Sequence, residues 1–223
     1  MTIVKPLFFV MNLPARFLAF FFHHLYHGFA FAYDFVAAAV SFGHWIEWTQ
    51  ATLPFLRGTS VLELGHGPGH LQRILLNRGL DAFGLDESSQ MSRLAHRRIL
   101  QSGHAQVNLA RGIGQTLPFA AESFDSILAT FPAPYIAEAR TLSEARRVLR
   151  RGGRLVVLIA AWPKSRILQW VYQVTSQSPA EGVATLKEKA TALLARAGFK
   201  ADAQIVEVKS ASLLMVVAEK TLE

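Results

Sequence analysis

Short apolar runs alternate with stretches of helical character along most of the chain. Val61-Leu62-Glu63-Leu64 reads as a buried strand, followed by a glycine-rich turn and the start of a helix at His70-Leu71. Ala82-Phe83-Gly84-Leu85-Asp86 reads as a second strand ending in an acid, and a helical pattern begins at Ser88. Leu155-Val156-Val157-Leu158-Ile159 is continuously apolar, as expected of a strand buried on both faces. Residues 184–197 read as a helix ended by Gly198. Ala203–Lys209 and Leu213–Glu219 read as two closing strands joined by a Ser-rich turn. Strands alternating with helices predict an α/β sheet, and 223 residues suffice for one doubly wound domain with a sizeable core.

Residues 7–46 depart from this pattern, because aromatic side chains crowd there. A membrane span needs about 20 mostly apolar residues. Pro14, Arg16, His23, His24, His27 and Asp34 interrupt every window of that length. Phe17, Phe20, Phe21 and His24 follow spacings of three and four, the mark of a helix with one apolar face. Residues 1–48 are therefore expected to form a helical lid over a greasy pocket, and residues 49–223 the α/β domain. Plain core packing and contact with the bilayer are the alternatives for the lid.

The turn Gly65-His66-Gly67-Pro68-Gly69 lets a ligand approach backbone, since glycine lacks Cβ and tolerates positive φ. The helix after it presents unpaired N–H groups to an anionic moiety. A dinucleotide fingerprint needs its third glycine where His70 stands, which disfavours a nicotinamide cofactor.

Glu63 with Gly65, Gly67 and Gly69 resembles motif I of class I S-adenosylmethionine-dependent methyltransferases. Further segments follow in that family's order over roughly residues 45–223. These are the strand ending in Asp86, Leu117-Pro118-Phe119 with Ser123-Phe124-Asp125, and Glu144–Leu155 as helix, Gly-Gly turn and fifth strand. The resemblance implies a Rossmann-like, seven-stranded, mostly parallel sheet with helices on both faces, and S-adenosylmethionine as cofactor. It also implies that Glu63 and the three glycines hold the cofactor's amino-acid end. Asp86 would accept from the ribose hydroxyls, and Glu87 and Met91 would flank the adenine. Two alternatives stand beside these roles: Asp86 as a helix cap, and Glu63 as a strand-end partner of an arginine. His66, inside the turn, is a further cofactor-binding candidate. Many relatives carry an acid after the third strand to read the adenine. This chain has Ile113 there, leaving the backbone of Ile113 and Gly114 for that task. Ala32-Tyr33-Asp34 and Ser41–Trp45 resemble the lead-in of the ubiquinone and menaquinone methyltransferases, with a similar Tyr-Asp in bacterial phospholipid N-methyltransferases. By that analogy Tyr33 closes over the cofactor, and the acceptor is a hydrophobic small molecule or lipid headgroup.

Charge and chemistry refine this picture. The formal charge is +7, with arginines concentrated from Arg140 to Arg154. Their place before a helix end suits a solvated structural face, with an anionic partner or membrane surface as the alternative. Nothing resembles a nucleic-acid module. The absence of cysteine excludes disulfides and thiolate chemistry, and a cytoplasmic address fits best. Histidines are the candidate bases near neutrality, His24 and His27 foremost. His23 and His27 share a helix face but lack a third metal ligand, so no metal is expected. The loop Thr130-Phe131-Pro132-Ala133-Pro134-Tyr135 should border the acceptor, with Tyr135 as a candidate catalytic group. It lacks the Asn or Asp that heads the Pro-Pro-Tyr motif of enzymes methylating planar amines. A nicotinamide-dependent oxidoreductase and a non-catalytic cofactor-binding protein are the competing functions.

Overall fold

The computed structural model describes residues 41, 43–164 and 179–221. Among them are strands β1 (Ser60–Leu64), β2 (Asp81–Asp86), β3 (Asn108–Arg111), β4 (Phe124–Thr130), β5 (Leu149–Pro163), β6 (Phe199–Glu207) and β7 (Ala211–Lys220). The helices are α1 (Trp45–Gln50), α2 (His70–Asn77), α3 (Ser89–Gln101), α4 (Ala139–Val148) and α5 (Pro179–Arg196). The seven strands form one sheet in the order β3-β2-β1-β4-β5-β7-β6. β1 to β5 run parallel, while β7 is antiparallel to both β5 and β6.

Alternation along the strands divides the core in two. Leu62, Leu64, Ile127, Leu155 and Val157 join Leu142, Ala145 and Val148 of α4 and Leu194 of α5 on one face. Val61, Leu128, Val156 and Leu158 join Trp48 of α1 and Leu71 and Leu75 of α2 on the other. α3 packs beside α2 against β2 and β3, burying Met91, Ala95 and Ile99 at four-residue spacing.

Several expectations are refined. The Gly152-Gly153 turn is a bulge inside one long strand: Phe124 pairs with Leu149, yet Ser126 pairs with Arg154. The same strand runs well past the apolar Leu155–Ile159 stretch, with Trp162 and Pro163 still paired to β7. Leu117-Pro118-Phe119 and Phe124 act in packing: Phe83, Phe119 and Phe124 meet edge to face with centroids 5.1–6.4 Å apart. Glu144 accepts from Leu117 N (2.8 Å), and Arg147 donates to the carbonyls of Phe119 and Leu117. Other arginines of this region are paired too. Arg150 pairs with Asp125 at 2.7 Å, and Arg154 with Glu219 at 3.6 Å. Most of the lid segment, with His24, His27 and Tyr33, lies outside the described residues. No helix among the described residues is long and apolar enough to cross a membrane.

Gly69 sits at φ +82°, and a Cβ there would lie 2.7 Å from Ala95 Cβ and 2.8 Å from its Cα. Both the backbone and the α2–α3 contact therefore require glycine. Gly69→Ala should lower stability by about 1–3 kcal/mol. Urea unfolding checks this, expecting a lower midpoint at an unchanged slope.

Candidate functional site

The strand order reverses direction between β1 and β4, and in such sheets ligands sit beyond the carboxyl tips at that point. The glycine turn leaves β1 there, anchored by Gly65 N donating to Leu85 O at 2.8 Å. Glu63 pairs with Gly84 in register, so Asp86, two residues further, shares the face of Glu63. The same parity across β4 adds Thr130, two beyond Leu128. A cleft opens between these tips and α1, lined by Trp45, Thr49, Glu63, Gly65, His66, Pro68, His70, Leu71 and Thr130.

Glu63 is 2% exposed and accepts from Gln72 Nε2 at 2.8 Å. Burial pushes its pKa up to about 8, eased by the Gln72 hydrogen bond and reinforced by the Asp86 charge. No ion pair of Glu63 is found among the described residues, so the expected alternative of an arginine partner has no support there. Asp86 accepts from Gly67 N (2.9 Å) and Ser88 N (2.8 Å), one bond on each oxygen. The helix cap itself is Ser88, whose Oγ accepts from Met91 N. Asp86 thus ties the glycine turn to the start of α3. A carboxylate has about four acceptor positions, so roughly two remain for a ligand.

His66 is 3% exposed, with Nδ1 2.7 Å from Gly67 O. A carbonyl only accepts, so Nδ1 carries the proton and Nε2 is an acceptor, buried without a partner among the described residues. Burial holds this histidine below its usual pKa, opposed by the Asp86 carboxylate. Gly84 makes room for the ring, since a Cβ there would lie 2.8 Å from His66 Cδ2.

The remaining predicted residues are spread around this centre. Glu87 is exposed, with its carbonyl accepting from Arg111 Nε at 3.0 Å. Met91 is buried at 1% exposure, and Ile113 is 46% exposed. Tyr135 reaches across the edge: a Cβ on Gly114 would meet its ring at 3.0 Å, and one on Gly65 its hydroxyl at 3.2 Å. Gly65 and Gly114 are thus brought together by one phenol. Sequence reasoning missed Gln72, Gly84 and the pairing of Trp45 with Phe131, whose ring centroids are 4.5 Å apart.

Two carboxylates on one face, flanking a turn that exposes backbone, suit a ligand with a cationic end and vicinal hydroxyls. S-adenosylmethionine has both, and the bare acceptor of His66 agrees with a donor-bearing ligand.

Residues 62–157 match the family model described as "Methyltransferase domain". A demethylmenaquinone methyltransferase from Thermotoga maritima is 34% identical over 140 residues, covering 60% of this chain and 59% of that protein. A ubiquinone/menaquinone biosynthesis C-methyltransferase from Geotalea daltonii is 27% identical, covering 63% of each. The chain thus spans about three-fifths of the length of these curated relatives. Among solved structures, a possible histamine N-methyltransferase from Thermotoga maritima superposes with TM-score 0.62 at 20% identity, covering 89% of this chain and 99% of that one. A geranyl diphosphate methyltransferase in complex with S-adenosylmethionine gives 0.61 at 14% identity, covering 85% and 91%. Residues 62–157 thus match a methyltransferase domain, and the sheet order and superpositions are those of the class I S-adenosylmethionine-dependent methyltransferase fold.

Proposed function

We propose that this chain transfers a methyl group from S-adenosylmethionine to a hydrophobic, quinone-like small molecule. The observation that carries the reading is the pair Glu63 and Asp86, on one face of adjacent strand tips around the glycine turn. The quinone-biosynthesis relatives support the acceptor class. When bound, the cofactor supplies an electrophilic methyl group, whose displacement leaves a neutral thioether.

The protein's part is to align, to exclude water and to receive a proton. Glu63 is proposed to face the ammonium of the methionine end, with Gly65, His66, Gly67 and Gly69 as backbone and ring contacts. Asp86 takes the ribose hydroxyls, Glu87 and Met91 flank the adenine, and the backbone of Ile113 and Gly114 reads it. From the resemblance of their sequence, residues 1–48, mostly outside the described residues, are proposed as the cover, with Tyr33 toward the methionine end and the aromatics toward the acceptor or a membrane surface. Methylation at a ring carbon forms a carbon–carbon bond and releases the ring proton. His24 and His27 are the proposed acceptors for that proton, with the Tyr135 hydroxyl as a further catalytic candidate.

Calorimetry with S-adenosylmethionine and with NAD tests the cofactor, and the first alone should bind. Labelled methyl donor with membrane lipid extracts tests the acceptor. Label in the quinone fraction supports the reading, and label confined to phospholipid overturns its acceptor. Cofactor binding without transfer to any fraction leaves a non-catalytic binding protein.

A further inference from the structure

Two non-glycine residues among those described have positive φ, Glu122 (54°) and Phe131 (48°). Glu122 lies at the amino edge, where its carbonyl accepts from Arg150 Nε and its carboxylate faces Lys220. Phe131 lies at the opposite edge, beside the cleft. A bulky side chain in this region is an outlier, and such outliers gather at functional sites.

The conformation has a local consequence. Along β4, Leu128 and Ala129 belong to opposite faces of the sheet. Regular alternation would place residue 131 on the face of Ala129. Instead the Phe131 ring packs with the opposite cluster, against Trp45 (4.5 Å, 36°) and Trp48 (6.3 Å, 58°). Its N–H still donates to Leu158 O at 2.8 Å, so the β4–β5 ladder continues while the side chain changes face. Trp48 is 2% exposed and fixed by Nε1 donating to Ser210 Oγ at 2.8 Å. Phe131 is therefore backed by a rigid indole, and bears on Trp45, a half-buried wall of the cleft shared with Glu63, Gly65 and Thr130.

We propose that the Trp45 indole is the stacking platform for a planar ring of the methyl acceptor, and that Phe131 is the positioning residue that fixes its plane. The inference rests on the methyltransferase reading and narrows its acceptor to a flat aromatic or quinoid head. A flexible isoprenoid gains only contact area from such a wall, whereas a ring also gains offset stacking.

The test uses the full chain saturated with S-adenosylhomocysteine, titrated with 2-methyl-1,4-naphthoquinone or, as the ringless comparison, geraniol. Binding of the quinone should quench indole fluorescence. Trp45→Ala should remove most of that quench and weaken the quinone roughly tenfold, the loss of one aromatic contact. Trp45→Phe should lose the quench yet hold the quinone within about threefold, since a flat ring remains. Phe131→Gly should weaken the quinone about three- to tenfold with unchanged S-adenosylhomocysteine affinity, the relieved backbone offsetting part of the stability lost with the ring. Phe131→Tyr should restore quinone binding, and geraniol should change less than about twofold throughout, having no ring to stack.

Undiminished quench and affinity in Trp45→Ala would overturn the platform. Equal losses of quinone and S-adenosylhomocysteine in Phe131→Gly would reduce that residue to a structural role. Wild-type protein that binds S-adenosylhomocysteine but not the quinone would overturn the inference alone; binding of neither would overturn the cofactor reading as well.

Discussion

Binding of S-adenosylmethionine is expected to expel about one proton from the protein near about pH 6.5, and to tighten up to roughly tenfold per pH unit approaching about pH 8. Glu63 is the source. In the empty protein its carboxyl is buried, accepts from Gln72 and feels the Asp86 charge, so it stays protonated up to about pH 8. A cationic ligand beside it favours the ionised form and lowers its pKa. Binding then requires the proton to leave, so affinity rises with pH until Glu63 ionises unaided. The ligand's own α-amino group titrates near about pH 8, which is why the count is best made near about pH 6.5. Calorimetry in buffers of unequal ionisation enthalpy gives the proton count directly. Glu63→Gln should abolish the release and flatten the profile; release unchanged in that variant would remove Glu63 from the cofactor's cationic end.

The same group sets the stability of the empty protein. Its folded pKa lies above the unfolded value of 4.5. Its contribution is therefore fully present below the ordinary carboxylate range and is lost as pH rises through about 8, at up to about 1.4 kcal/mol per pH unit. Glu63→Gln should be the more resistant protein to urea at alkaline pH.

Asp86→Ala should weaken cofactor binding by about 2–4 kcal/mol, roughly 30- to 1000-fold, as charge-assisted hydrogen bonds are lost. The effect has two parts. One is the proposed pair of ribose contacts. The other is preorganisation, since Asp86 holds Gly67 N and Ser88 N and so sets the glycine turn against α3. Asp86→Asn separates them: one amide oxygen accepts as the carboxylate did, but the amino group cannot. Its loss should be intermediate. Affinity unchanged in both variants, measured by calorimetry, would refute the ribose assignment.

The parts of the site legible in the sequence are those whose chemistry is local. Gly65, Gly67 and Gly69 all have positive φ, as their spacing before a helix suggests, while Asp86 ends its strand and Glu63 stands one residue before the end of its own. The strand alternation and order of motifs carried the fold equally well, because continuous apolar runs identify central strands directly. What stayed hidden depends on partners far along the chain. Gln72 reads as an ordinary helix residue until its amide is seen between Glu63 and Phe83 O. Gly84 reads as a weak strand residue until the His66 ring is found over it. The change of face at Phe131 leaves no periodic signal, since a single positive φ breaks alternation at one position. The Gly-Gly bulge reads as a turn because residue type reveals the φ of Gly152 but not that pairing resumes at Arg154.

The hydrogen-bond chain from Trp48 through Ser210 to Glu47 joins residues more than 160 positions apart, across the tip of the β6–β7 hairpin. Closing so long a loop is a late event in folding. In a chain that ends before the hairpin, the first helix lacks this tie. Ser210→Ala, which cuts this tie and leaves every strand paired, should loosen the first helix while the glycine turn keeps its place.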